Sequence, residues 1–103
     1  MLVRVTEPSG AAFQLRKGEH GVSVFDTAAI EPPLTEMEVL NSFRPGSQVV
    51  RRSVAEVQAK GLEVVPIAGA ESLPVRLREA HAELRPGPGM TRVRFKQALR
   101  ELE

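Results

Sequence analysis

The stretch Gly21-Val22-Ser23-Val24-Phe25-Asp26 decides the fold, and it follows the polar run Arg16-Lys17-Gly18-Glu19-His20. Valine is β-branched and stiff, which favours a pleated strand over a helix. The two-residue period of a strand sets Val22 and Val24 on one face and Gly21, Ser23 and Phe25 on the other. A face made of Gly, Ser and Phe is open enough for a ligand to lie against it. The plainer reading is a buried strand that tolerates a small serine.

Towards the N-terminus, Leu2 to Thr6 reads as a first strand, with Val3 and Val5 pointing one way and Leu2, Arg4 and Thr6 the other. Glu7-Pro8-Ser9-Gly10 is a turn, because proline presets φ and glycine supplies the permissive end. Ala12 to Arg16 is expected to be a short strand, followed by a loop over 17–21.

Towards the C-terminus, Asp26 to Ile30 can start a short helical turn, which Pro32-Pro33 stops. Thr35 with Glu38 three residues on has capping-box spacing. Met37, Leu40 and Phe43 are the expected buried stripe of that helix, and Arg44-Pro45-Gly46 ends it. Ser53 and Glu56 repeat the capping spacing, Val54 and Val57 face inward, and Gly61 suits a left-handed C-cap. Leu62 to Ile67 is the most apolar run and is expected to be a central strand, broken near Pro66.

Residues 74–86 fit two templates. Val75, Leu77, Ala80 and Leu84 partly match a helix, whereas His81-Ala82-Glu83-Leu84-Arg85 alternates like a strand with Ala82 and Leu84 inward. Pro86-Gly87-Pro88-Gly89 is a breaker. Thr91 then caps a last helix with Phe95, Ala98, Leu99 and Leu102 on one face. Its Arg92, Arg94, Lys96 and Arg100 read as a solvated face. Strands and helices mix without βαβ alternation. The expected fold class is therefore α+β, a small mixed or antiparallel sheet with flanking helices in a single domain over 1–103.

The 103 residues support one modest core. It must be built from Val, Leu, Ile and Ala, because the chain has four Phe and no Tyr or Trp. That scarcity argues against stacking platforms for single-stranded nucleic acid. There is no cysteine, which excludes disulfides, a thiol nucleophile and thiolate metal sites. Two histidines, His20 and His81, do not argue a zinc site, and no metal is expected. The net charge of +1 gives no global pull towards nucleic acid or membrane. Met1-Leu2-Val3-Arg4-Val5 is too short and too quickly charged for a signal peptide. No apolar run approaches the roughly 18 residues that span a bilayer. The expected location is the cytoplasm; a protein exported without a cleaved signal would read the same.

There is no phosphate loop, dinucleotide glycine fingerprint or HExxH. What remains is a set of polar residues on expected strands: Arg4, Ser23, His81 and Glu83. Each is ordinary alone, and an arginine or glutamate on a strand is most often a solvated or edge residue. Together they allow one chemistry. Arginine offers a fixed fork of donors to a diphosphate. A strand serine can brace a ribose or carboxamide. A glutamate can bond a ribose hydroxyl and stabilise an oxocarbenium-like transition state. Cleaving the nicotinamide–ribose bond of NAD needs these three services and no metal.

Three segments resemble the small type VI secretion effector toxins whose fold is ADP-ribosyltransferase-like. Leu2-Val3-Arg4-Val5 is similar to that family's opening Leu-x-Arg strand. Gly21-Val22-Ser23-Val24-Phe25-Asp26 is similar to its Gly-Thr-Ser-Val-Phe-Asp segment, with Val22 in place of the threonine. Leu73-Pro74, His81-Ala82-Glu83-Leu84-Arg85-Pro86 and Met90 follow its late proline loop, His-x-x-Ile-x-Pro strand and Met. The blocks cover about a third of the chain.

The resemblance implies an ADP-ribosyltransferase-like toxin acting in the cytoplasm of a target or host cell, with NAD as substrate. In that reading Arg4 binds the diphosphate, Ser23 supports the nicotinamide ribose, and Glu83 orients the 2′-hydroxyl and activates the acceptor. Ser23 and Glu83 are the candidate catalytic residues. Arg4, Ser23 and His81 are the candidate cofactor-binding residues, with His81 expected to pack or hydrogen-bond to hold the late strand rather than act as a base. The implied partners are an immunity or antitoxin protein, as in an effector–immunity or toxin–antitoxin pair, and a protein or nucleic-acid acceptor, with no membrane. Two other readings fit the same residues. One is a non-catalytic binding module of the same fold. The other is a small RNA- or translation-targeting toxin using His20 or His81 with the C-terminal arginines.

Overall fold

The computed structural model describes residues 1–7 and 10–103. Pro8 and Ser9 of the expected first turn lie outside the described residues. Among the described residues five strands make one sheet: β1 (Leu2–Thr6), β2 (Val22–Asp26), β3 (Gln48–Arg52), β4 (Leu62–Pro66) and β5 (His81–Pro86). Their order is β3-β1-β2-β5-β4, and every neighbouring pair is antiparallel. Helices α1 (Glu36–Leu40), α2 (Val54–Ala59), α3 (Val75–Ala80) and α4 (Arg92–Arg100) flank it. The architecture is α+β with an antiparallel sheet.

The alternation in β2 sorts the whole molecule. Val22 and Val24 are paired with Leu84 and Ala82 of β5, and all four are buried in a cluster with Phe95, Ala98 and Leu99 of α4. Burying each of the larger side chains contributes about 1.5–3 kcal/mol. Phe25, on the other face, packs with Val3, Val39 of α1 and Leu77 and Ala80 of α3. Instead of one core, the sheet carries an apolar cluster on each face, because both faces are covered by helices.

The caps sit where the spacing sets them. Thr35 and Glu38 close a capping box on α1, Ser53 and Glu56 close another on α2, and Thr91 accepts from the Arg94 N–H to open α4. Gly61 ends α2 with φ of 80°, a conformation that glycine reaches without a Cβ clash. Asp26 caps the 3-10 turn at Thr27–Ala29.

Three further expectations are corrected, one strand is new, and the two templates of residues 74–86 are resolved. Ala12 to Arg16 is not a strand. Ala12 and Phe13 are neighbours buried in the same cluster, whereas adjacent residues of a strand face opposite sides of the sheet. Their N–H groups donate to the Glu103 carboxylate, each at 2.8 Å, instead of to a ladder. β4 is an edge strand, not a central one, and that position accommodates Pro66, which has no N–H to donate. Met37 is 67% exposed and Val39 is buried in its place. Two residues along a helix is a turn of about 200°, so the two face opposite ways. β3 was not anticipated. Finally, 74–86 is both templates in succession, α3 running directly into β5.

Candidate functional site

The site lies where the sheet opens. β1 pairs with β3 along its length, from Leu2↔Arg52 to Thr6↔Gln48. Its ladder with β2 has two registers, Leu2↔Asp26 and Val3↔Phe25. Continuing that register would set Val5 opposite Ser23. Instead, the Ser23 carbonyl accepts from Arg4, whose Nη1–H donates at 2.8 Å. Arg4 also donates its Nε–H to the Ala12 carbonyl at 2.9 Å.

By pleat alternation the Arg4 Cα–Cβ bond leaves the sheet on the face of Leu2, Val22 and Val24, the face opposite to Ser23. The side chain reaches Ser23 by entering the gap between the strands. Burial pushes its pKa below the ordinary guanidinium value, with Glu19 acting in the opposite direction. The group remains charged, as arginine does in proteins.

A groove of about 910 Å³ runs through this gap. Arg4, Ser23, Phe25, Phe43, Leu73 and His81 line it, and Arg16 and Arg44 also border it. Phe25 meets Phe43 edge-on at a centroid distance of 6.0 Å and the His81 ring at 5.7 Å. Ser23 is exposed, although its neighbours Val22 and Val24 are buried. The strand geometry presents its side chain on the same face as Phe25.

Glu83 is treated differently. It pairs in register with Ser23, so the two side chains share a face as direct cross-strand neighbours. Yet it is not part of the groove lining. Arg85, two residues along the same strand face, donates both Nε–H and an Nη2–H to Glu83 Oε1, at 3.0 and 2.8 Å. The carboxylate lies close to Gly21, where an added Cβ would be 3.1 Å from Oε1 and 2.9 Å from the Leu84 carbonyl. A side chain at Gly21 would therefore push β2 and β5 apart.

The structure thus brings Arg4, Ser23 and His81 to one groove and sets Glu83 beside Ser23, outside it. His81 is tied to the segment after β4 by two hydrogen bonds. Its Nδ1 lies 2.7 Å from the Ile67 carbonyl, and its own carbonyl accepts from the Ile67 N–H at 3.3 Å. His20 is exposed on the loop before β2.

Sequence reasoning missed Phe43 and Arg44 as groove residues, because it assigned them to a buried stripe and a helix stop. Arg16 gave no signal, because it was assigned to the end of an expected strand. Among the described residues no group of three metal-ligating side chains occurs, and no helix is long and apolar enough to cross a membrane.

The groove has the size of a small-molecule site, within the usual range of about 300–1,000 Å³. Arg4 has five N–H donors, and the two carbonyl bonds leave the others for an anion. Apolar rings, a hydroxyl and cationic borders complete the lining. No protein-family model, no curated protein and no solved structure matches this chain, so the meaning of the groove rests on its own geometry.

Proposed function

We propose that the groove binds an NAD-type dinucleotide and that the chain is an ADP-ribosyltransferase-like toxin domain, of the kind neutralised by a partner protein. The observation that carries this reading is the meeting of Arg4 and Ser23 in one groove bordered by two further arginines. Arg4 receives the diphosphate, held in place by its two backbone carbonyl partners. Ser23 braces the nicotinamide ribose, and the edges of Phe25 and Phe43 give the ring systems an apolar wall. Glu83 approaches the ribose 2′-hydroxyl from across the β2–β5 pair, using the Oε2 that the Arg85 bonds leave free.

In the transfer, the C1′–nicotinamide bond breaks and nicotinamide leaves neutral with the bonding electron pair. The acceptor's heteroatom forms the new bond to C1′ and releases its proton. A carboxylate near the ribose stabilises the positive charge that develops there.

Calorimetric titration of NAD tests the binding half. Wild type is expected to bind, and Arg4→Lys to bind about tenfold more weakly, since a lysine gives a point charge in place of a fork. Growth arrest on expression tests the activity half, with Ser23→Ala and Glu83→Ala expected to restore growth while remaining folded. Wild-type protein that shows no heat with NAD overturns the proposal. A protein that binds NAD but neither cleaves it nor arrests growth is the non-catalytic module. That second reading is favoured by one observation, the bonding of Glu83 to Arg85 outside the groove.

A further inference from the structure

We propose that His81 is a catalytic residue of this groove, the group whose Nε2 takes the acceptor's proton. The inference rests on the reading of the groove given above and assigns it a base that the sequence did not.

Four observations converge on this ring. His81 pairs in register with Phe25 and so lies on the ligand-facing side of β5, two residues from Glu83. Its Nδ1 is 2.7 Å from the Ile67 carbonyl, an atom that can only accept, so in the neutral ring the proton sits on Nδ1 and Nε2 carries the lone pair. The ring is held edge-on to Phe25 at 73° between planes, which fixes its orientation. Finally, His81 borders both the groove and a second cavity of about 640 Å³ formed by the β4–α3 loop and α3. A proton taken on the groove side therefore has a second opening beside the same residue.

The supporting shell is built for close approach. A Cβ at Gly69 would stand 3.2 Å from the His81 Cβ, so glycine lets the loop close over the ring. The charged groups around the imidazole are Arg4 on the groove side and Glu71, Arg78 and Glu79 on the second-cavity side. Glu7, Arg16 and Arg44 also border the groove. Glu83, the alternative base, is turned to Arg85 and lies outside the lining.

The step balances. The acceptor's X–H bond breaks, X bonds to C1′, the C1′–nicotinamide bond breaks, and the proton passes to Nε2. The positive charge of the nicotinamide ring ends on the imidazolium. With water as acceptor the products are nicotinamide and free ADP-ribose.

The test uses NAD with water as the acceptor and follows nicotinamide release. His81→Asn keeps an N–H for the Ile67 carbonyl but has no counterpart of Nε2. It is expected to lower the turnover rate by about 100-fold or more at saturating NAD. His81→Gln, which loses the Ile67 bond as well, is expected to be equally slow and less stable. Long-range 1H–15N spectra of the ligand-free protein are expected to show the proton on Nδ1. Wild-type turnover with an unaltered rate in His81→Asn overturns this role alone, as does a neutral ring protonated on Nε2. Wild-type protein that leaves NAD unbound and uncleaved overturns the groove reading and this role with it.

Discussion

Arg4 and Ser23 begin on opposite faces of the sheet and meet in its gap, where the Arg4 guanidinium occupies the Ser23 carbonyl that a longer β1–β2 ladder would have used. The arginine satisfies two backbone carbonyls from 8 and 19 residues away and also lines the groove.

Arg4→Ala removes both bonds and leaves the Ala12 and Ser23 carbonyls without their partner. The expected loss is about 2 kcal/mol of stability, because an unsatisfied carbonyl costs more than its bond contributes. Arg4→Lys keeps one bond and recovers part of that loss. Urea unfolding followed by circular dichroism measures both, and an Arg4→Ala variant as stable as wild type contradicts the assignment.

Glu103 does for the loop before β2 what a neighbouring strand would otherwise do. Its two carboxylate oxygens accept from the N–H groups of Ala12 and Phe13. Glu103→Ala is expected to cost about 2 kcal/mol, as for other charge-assisted pairs, and Glu103→Gln about half as much. Amide hydrogen exchange at Ala12 and Phe13 reads the effect directly, since both amides should exchange faster in either variant.

The pH dependence has one well-defined contributor on the α1–α3 side. Arg76, donating its Nε–H at 2.7 Å, and after it the Thr35 N–H hold the Glu38 carboxyl down at about 2, against an ordinary 4.5. Its folded-state value is depressed, so the stability it contributes is fully present above the ordinary value and is lost as the pH falls through about 2. Arg76→Ala is expected to move the Glu38 midpoint up towards the ordinary carboxylate range. A carboxyl-carbon NMR titration checks it, and an unmoved midpoint would show that Thr35 alone sets the value.

Most of the fold was legible where side-chain period and caps spoke together. β1, β2, β5 and α4 each carry a clean apolar stripe, and the three N-caps carry their own hydrogen-bond partners. β3 was not legible because it has only Val49 and Val50 between Gln48 and two arginines. Those arginines are held by partners distant in sequence: Arg51 by Glu36, and Arg52 by the Leu102 carbonyl at 2.7 Å. The expected strand at Ala12–Arg16 failed for a related reason. Its apolar residues do enter the core, but the N–H groups of Ala12 and Phe13 go to a glutamate about ninety residues away.

The site was half legible. Alternation put Arg4 opposite Val3 and Val5, and Ser23 with Phe25, as found. What alternation cannot carry is strand order, and only the order β1-β2-β5 makes neighbours of three residues from distant parts of the chain. Nor does it carry the early end of the β1–β2 ladder, without which Arg4 would remain on its own side of the sheet.

The Ala12 and Phe13 N–H groups donate to Glu103, and Arg92 donates to the Arg16 and Glu19 carbonyls, so the loop that brings Ala12 and Arg16 to the groove is tied to α4 and the residues after it. That part of the groove lining and helix α4 are therefore one mechanical unit. A binding protein gripping α4 would tug on the lining without ever touching what the groove holds.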